Sequence, residues 1–169
     1  MKRILIILFT VIGILAILFL AGPKPAHPVY LSELPVLASA FDELEDSIAN
    51  FERQHNALEC AYTEILWNDS LRQTHWAFLY LHGFSATKHE GDTFRYALPK
   101  AYGMNALYNR MAGHGLKEND ETRMSTFTAE AAWAKALYDF SLAKKLGKKV
   151  VLGSCSTGSL LALRLAMLF

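Results

Sequence analysis

Five consecutive apolar residues, Ala77 to Leu81 (A-F-L-Y-L), constrain this chain more than any other feature. A strand with one face in water alternates between apolar and polar residues. An unbroken run marks a strand covered on both faces, as in a parallel sheet layered between helices. A second apolar run, Val150 to Gly153, leads through S-C-S-T-G into a helical pattern of small and apolar residues (S-L-L-A-L-R-L-A). Strands alternating with helices imply parallel βαβ units.

The remaining elements fit that alternation. Leu37, Phe41, Leu44, Ile48 and Phe51 recur at helical spacing, so Leu31 to Arg53 reads as a helix, with Ser32 as N-cap and Pro35 in its first turn. Cys60 to Trp67 reads as a strand, and Asn68, Asp69 and Ser70 as a turn. Asp92 to Tyr102 reads as a helix ended by Gly103, and Met104 to Met111 as a further strand. Lys117 to Thr126 is a polar loop. Thr128 caps a helix that runs to about Leu146, buries Trp133, Leu137 and Phe140, and stops at Gly147. Lys148 and Lys149 open the last strand.

The N-terminus is a separate unit. Lys2 and Arg3 precede Ile4 to Ala21, 18 residues without a charge. Spanning a bilayer takes about 17–25 apolar residues, whereas the core of a signal peptide has about 7–15. The length favours an anchor, with the N-terminus in the cytoplasm and the domain on the other side. Cleavage near Ala21, giving a secreted protein, is the alternative. The division expected is 1–22 as membrane or signal helix, 23–58 as a Pro-rich linker and helix, and 59–169 as the α/β domain.

Composition excludes other classes. Net charge is +1 with no basic block, so nothing favours nucleic acid. Two cysteines, Cys60 and Cys155, are too few for a disulfide framework. G-S-C-S-T-G at Gly153 to Gly158 has phosphate-loop spacing, but Ser159 and Leu160 follow where lysine and a hydroxyl residue are required. Cysteine-phosphatase chemistry would want an arginine at Leu161. His89-Glu90 opens like a zinc-protease motif, but Thr93 stands at the second histidine, and no Cys/His set has zinc spacing. No cofactor or metal is expected.

The chemistry centres on the turn after Gly153. A strand that turns sharply into a helix lifts one hydroxyl beside the first amides of that helix. In one register Ser156 is central, with Ser154 two residues before and Gly158 two after. In the other Cys155 is central, with Gly153 and Thr157. The flanking positions must be small, and β-branched Thr157 fits worse, which favours Ser156. Acyl transfer also needs two N–H donors for the oxygen that becomes negative. The amide of Thr157 supplies one, and a loop amide after Leu81-His82-Gly83, that of Phe84, the other. Gly83 lets that backbone turn.

L-Y-L-H-G-F-S-A, then M-A-G-H-G-L, then V-V-L-G-S-C-S-T-G-S stand in the order of the α/β-hydrolase family, and Tyr62 to Phe169 resembles it. Ser154 departs from the usual G-x-S-x-G. The likeness is greatest to small membrane-anchored bacterial hydrolases of the esterase/lipase and serine-peptidase-like branch. The resemblance implies an α/β fold with a mostly parallel sheet and flanking helices. It implies Ser156 as nucleophile, the Phe84 and Thr157 amides as oxyanion hole, and a small-molecule, lipid or peptide substrate carrying an ester, thioester or amide. In this family the acid and the histidine follow the serine. That order favours loop-holding roles for His82 and His114 over a base role. After Ser156 come T-G-S-L-L-A-L-R-L-A-M-L-F, without Asp, Glu or His. The expectation is therefore the N-terminal half of such a fold, with an open sheet edge and little activity alone. A catalytically dead, membrane-tethered binding module is the alternative.

Overall fold

The computed structural model describes residues 2–24, 26–37, 40–117 and 124–169. Its centre is a four-stranded sheet in the order β1-β3-β2-β4, formed by β1 (Glu64–Leu66), β2 (Thr74–Leu81), β3 (Asn105–Tyr108) and β4 (Gly147–Ser154). β2 runs parallel to both β3 and β4, and β1 pairs antiparallel with β3. The apolar run at Ala77 to Leu81 thus lies in an inner strand. Its side chains alternate between two cores. Ala77, Leu79 and Leu81 face one, with Trp133 and Leu165, while Phe78 and Tyr80 face the other, with Ala106 and Tyr108.

The helices cover both faces. α3 (Phe94–Tyr102) brings Leu98 to the Phe78 side, while α4 (Ala129–Leu146) and α5 (Thr157–Leu168) pack on the Leu79 side. β2 connects through α3 to β3 on one flank. The chain then returns through α4, on the opposite face, to β4 on the other flank. Connections therefore diverge beside the carboxyl end of β2, the place where open α/β sheets form a crevice. Among the described residues β4 is an outer strand. α5 exposes Leu160, Leu163 and Met167.

The N-terminal helix α1 (Lys2–Ala21) has a mean hydropathy of 3.2 and buries none of its residues among the described ones. It is long and apolar enough to cross a membrane, a property that signal sequences share.

The helix expected over Leu31 to Arg53 is shorter. α2 spans Leu44–Gln54, and residues 26–37 are not helical. Ser32 caps nothing. Pro35 lacks an amide hydrogen and disfavours helical geometry in the residue before it. Tertiary contacts then hold the segment against the domain: the Trp133 indole donates to the Leu31 carbonyl at 2.7 Å, and Tyr30, Leu34, Leu37 and Phe41 pack on the main core. Of the apolar positions read as a helical stripe, Leu44, Ile48 and Phe51 do lie on α2, while Leu37 and Phe41 are half-buried outside it. Cys60 lies in a short 3-10 turn, Glu59–Ala61, so the strand expected from it begins only at Glu64. Gly147 ends α4, its amide donating to the Ala143 carbonyl, and begins β4 at the same residue, pairing with Thr74 with no room for a side chain against Ala77. Thr128 does cap α4, its hydroxyl accepting from the Ala131 amide. Most of the loop expected at Lys117 to Thr126 lies outside the described residues.

A buried polar network ties α2 and α4 to the loop after β3. Glu52 accepts hydrogen bonds from the Thr63 hydroxyl at 2.6 Å and from the Arg110 guanidinium. Lys135 reaches Thr63 at 3.1 Å and pairs with Asp139 one helical turn along. Burial pushes the Glu52 carboxyl up, but Lys135, Arg110 and Thr63 together outweigh it and hold it below its usual range. Arg110 also donates to the carbonyls of Met111 and His114, so the same cation shapes the following loop. Arg110→Met leaves Glu52 buried and short of one cation. It is expected to lower stability by about 3–5 kcal/mol, read from urea unfolding in detergent.

Candidate functional site

Two loops meet at the carboxyl ends of β2 and β4. The β4 loop is a single sharp turn. Cys155 still donates its amide to the Leu81 carbonyl at 3.1 Å, and α5 begins at Thr157. Ser156 alone makes the reversal, with φ 47° and ψ −118°, and is exposed. A non-glycine residue at positive φ costs about 1–3 kcal/mol and persists only where packing imposes it. Gly158 shows that packing. A Cβ there would stand 2.1 Å from the Leu81 carbonyl oxygen and 2.6 Å from that of His82. Only a missing side chain lets the first turn of α5 lie on the end of β2.

The apex position separates the two sequence registers geometrically. Ser156 occupies the apex, whereas the Cys155 backbone remains in the ladder. Burial and the adjacent Glu90 carboxylate push the Cys155 thiol up, away from the thiolate form that a cysteine nucleophile needs. Cys155 and Cys60 are both free.

The β2 loop is fixed peptide by peptide. The Gly83 carbonyl accepts from the His82 ring Nδ1 at 2.8 Å and from the Ala86 amide at 3.3 Å. In a trans peptide the N–H points opposite to the C=O, so these bonds also aim the Phe84 N–H. That N–H and the N–H of Thr157 donate to no acceptor among the described residues. The Gly83 N–H is taken, bonded to Glu90 Oε2 at 2.7 Å. A Cβ on Gly83 would sit 3.3 Å from the Ser156 Cβ, which brings the two loops into contact. Two loops in contact thus carry an exposed hydroxyl and two amides that donate to no acceptor among the described residues.

Neither nearby histidine is available as a base. His82 is fully buried. Its Nδ1–H donates to Gly83, and its Nε2 accepts from the Met111 amide at 3.1 Å. Burial pulls its pKa down to about 4, so the ring is neutral at physiological pH. His114 accepts from the Ser85 amide at 2.9 Å through Nε2 and donates through Nδ1 to Ala112. Burial lowers its pKa as well. Its ring packs edge-on against His82, Phe84 and Phe127, joining the two histidine loops to the segment before α4. Among the described residues, no cluster of three or more His, Cys, Asp or Glu is placed to hold a metal.

Glu90 escaped the sequence reading. It drew attention only as half of a failed zinc motif. Its nearness to Gly83 depends on the 3-10 turn Lys88–Gly91 folding back beneath the loop, which no residue spacing announces.

Two outcomes follow from this geometry. Gly158→Ala forces α5 off the end of β2 and is expected to destabilise by roughly 1–3 kcal/mol in urea unfolding. His82 binds its proton less readily folded than unfolded, so its contribution is complete above pH 6.5 and is lost as pH falls toward 4. Between pH 7 and 5 the loss is about 2 kcal/mol. Asp139, raised to about 6 by burial against the pull of Lys135, acts in the opposite sense in part of this window. The measurement is therefore the pH slope of stability in wild type minus that in His82→Asn.

Compared with protein-family models, curated proteins and solved structures, the chain matches none.

Proposed function

We propose that the rim formed by Ser156, Phe84 and Thr157 is the nucleophile and oxyanion half of a serine-hydrolase site of the α/β-hydrolase type. The observation that carries this reading is the pair of unclaimed amides beside a hydroxyl held at a strained apex. A carbonyl carbon approached by the Ser156 oxygen would place its own oxygen toward those two N–H groups. The carbon–oxygen bond forms, the hydroxyl proton leaves to a base, and the carbonyl oxygen takes the negative charge. Collapse expels the alcohol, thiol or amine and leaves an acyl-enzyme, which water then cleaves. Donors held in place before reaction are worth roughly 3–4 kcal/mol each.

Neither nearby histidine supplies the base. His82 and His114 use both ring nitrogens within their loops, and no Asp, Glu or His follows Ser156 in the 169 residues. A serine without its base loses on the order of 10⁶-fold in turnover. The engagement of both histidines supports a second reading, a binding module with an inert site. In either reading α1 serves as a membrane anchor that holds the domain on the non-cytoplasmic side, near an ester, thioester or amide substrate. Lys2 and Arg3 ahead of the span support that orientation.

Added imidazole separates the two readings. With the full chain in detergent, a fluorophosphonate probe is expected to label Ser156 slowly, and faster as imidazole is raised. Ser156→Ala abolishes the labelling. Labelling of wild type and Ser156→Ala at one rate, or labelling at Cys155, would overturn the hydrolase reading and leave the binding module.

A further inference from the structure

We propose that Glu90 is a positioning residue of this site, a carboxylate clamp that holds the oxyanion loop against the nucleophile turn. The inference rests on the acyl-transfer reading and extends it. Glu90 Oε2 takes the Gly83 N–H at 2.7 Å, so the loop's free donor is the next amide, that of Phe84. Both Glu90 oxygens lie within 3.3 Å of the point where a Gly83 Cβ would stand, and the Ser156 Cβ is 3.3 Å from that same point. The Cys155 thiol, on the other side of the turn, also faces this carboxylate. One acid therefore borders the donor loop and the residue before the nucleophile. A charged acceptor makes that bond stronger than a neutral one would.

The successive peptides show what the clamp does. His82–Gly83 directs its N–H to Glu90 and its carbonyl toward the first turn of α5. Gly83–Phe84 directs its carbonyl to the His82 ring. With the first peptide released, the second is held only through its carbonyl, and the Phe84 N–H can swing away from the oxyanion position. Misplacement by about 1 Å can cost on the order of 100-fold in rate. The Glu90 side chain is otherwise open to solvent, so its removal leaves no cavity in the core.

The test uses the full chain in detergent with Cys60→Ser as background and imidazole-supported fluorophosphonate labelling of Ser156 as readout. Glu90→Ala is expected to slow labelling about 100-fold. Glu90→Asp, one methylene too short, slows it similarly. Glu90→Gln keeps an oxygen for the Gly83 N–H and stays within about 10-fold of wild type. Iodoacetamide supplies a readout independent of catalysis: Cys155 is alkylated several-fold faster at pH 8 in Glu90→Ala and in Glu90→Gln, because both lose the neighbouring negative charge. Wild-type labelling at Ser156 with Glu90→Ala equally fast would overturn the clamp and leave the hydrolase reading standing. Equal losses in Glu90→Ala and Glu90→Gln would assign the effect to charge and overturn positioning. Absence of labelling in wild type would overturn the hydrolase reading, and the clamp with it. Should Glu90→Ala not fold, Glu90→Asp and Glu90→Gln decide between the same outcomes.

Discussion

The site depends on one close approach, that of the first turn of α5 to the end of β2. Gly158 meets the Leu81 and His82 carbonyls where any Cβ would collide, and the Cys155 amide bonds to Leu81 beside it. Parallel pairing of β2 with β4 sets the register, and the missing side chain sets the distance. Ser156 must then reverse the chain in one residue, which places it at positive φ with its hydroxyl outward. Strain at the apex is thus a consequence of packing below it.

The neighbouring loop is built on the opposite economy, in which nearly every polar group is used. His82 holds the Gly83 carbonyl and accepts from Met111, His114 accepts from Ser85, and Arg110 holds the carbonyls of Met111 and His114. Arg110 in turn is fixed by Glu52 from α2. A chain of buried polar contacts therefore runs from α2, through the loop after β3, to the peptide that aims the Phe84 amide. Buried groups of this kind cost stability when a partner is lost, so the loop is fixed as firmly as the core beneath it. The amides of Phe84 and Thr157 stand out against that background as donors with no acceptor among the described residues.

Much of the architecture was legible from residue order. The unbroken run at Ala77 to Leu81 identified a strand covered on both faces. The cap at Thr128 and the apolar stripe through Trp133, Leu137 and Phe140 located α4, and Gly103 located the end of α3. These are local signals, in which backbone preference and burial agree. The helix expected over Leu31 to Arg53 forms only from Leu44, and the segment that contains Pro35 is not helical. A periodic pattern reports which residues are buried, and here an extended segment buries Leu34 and Leu37 against the domain, with Trp133 holding the Leu31 carbonyl. Cys60 failed in the same way, its apparent alternation belonging partly to a 3-10 turn.

Residue identity alone located the sharp turn between β4 and α5, with Ser156 at its apex, and the apolar helix at the N-terminus. Residue order favoured loop-holding roles for His82 and His114 but not their partners, the Gly83 carbonyl and Met111 amide for one and the Ser85 amide and Ala112 carbonyl for the other, which the fold brings together. Nor did it reveal Glu90, whose role arises from a turn folding back across seven residues to an amide. Strand order, register and desolvation are properties of the assembled sheet. They decide which N–H groups are bonded within the fold and which are not.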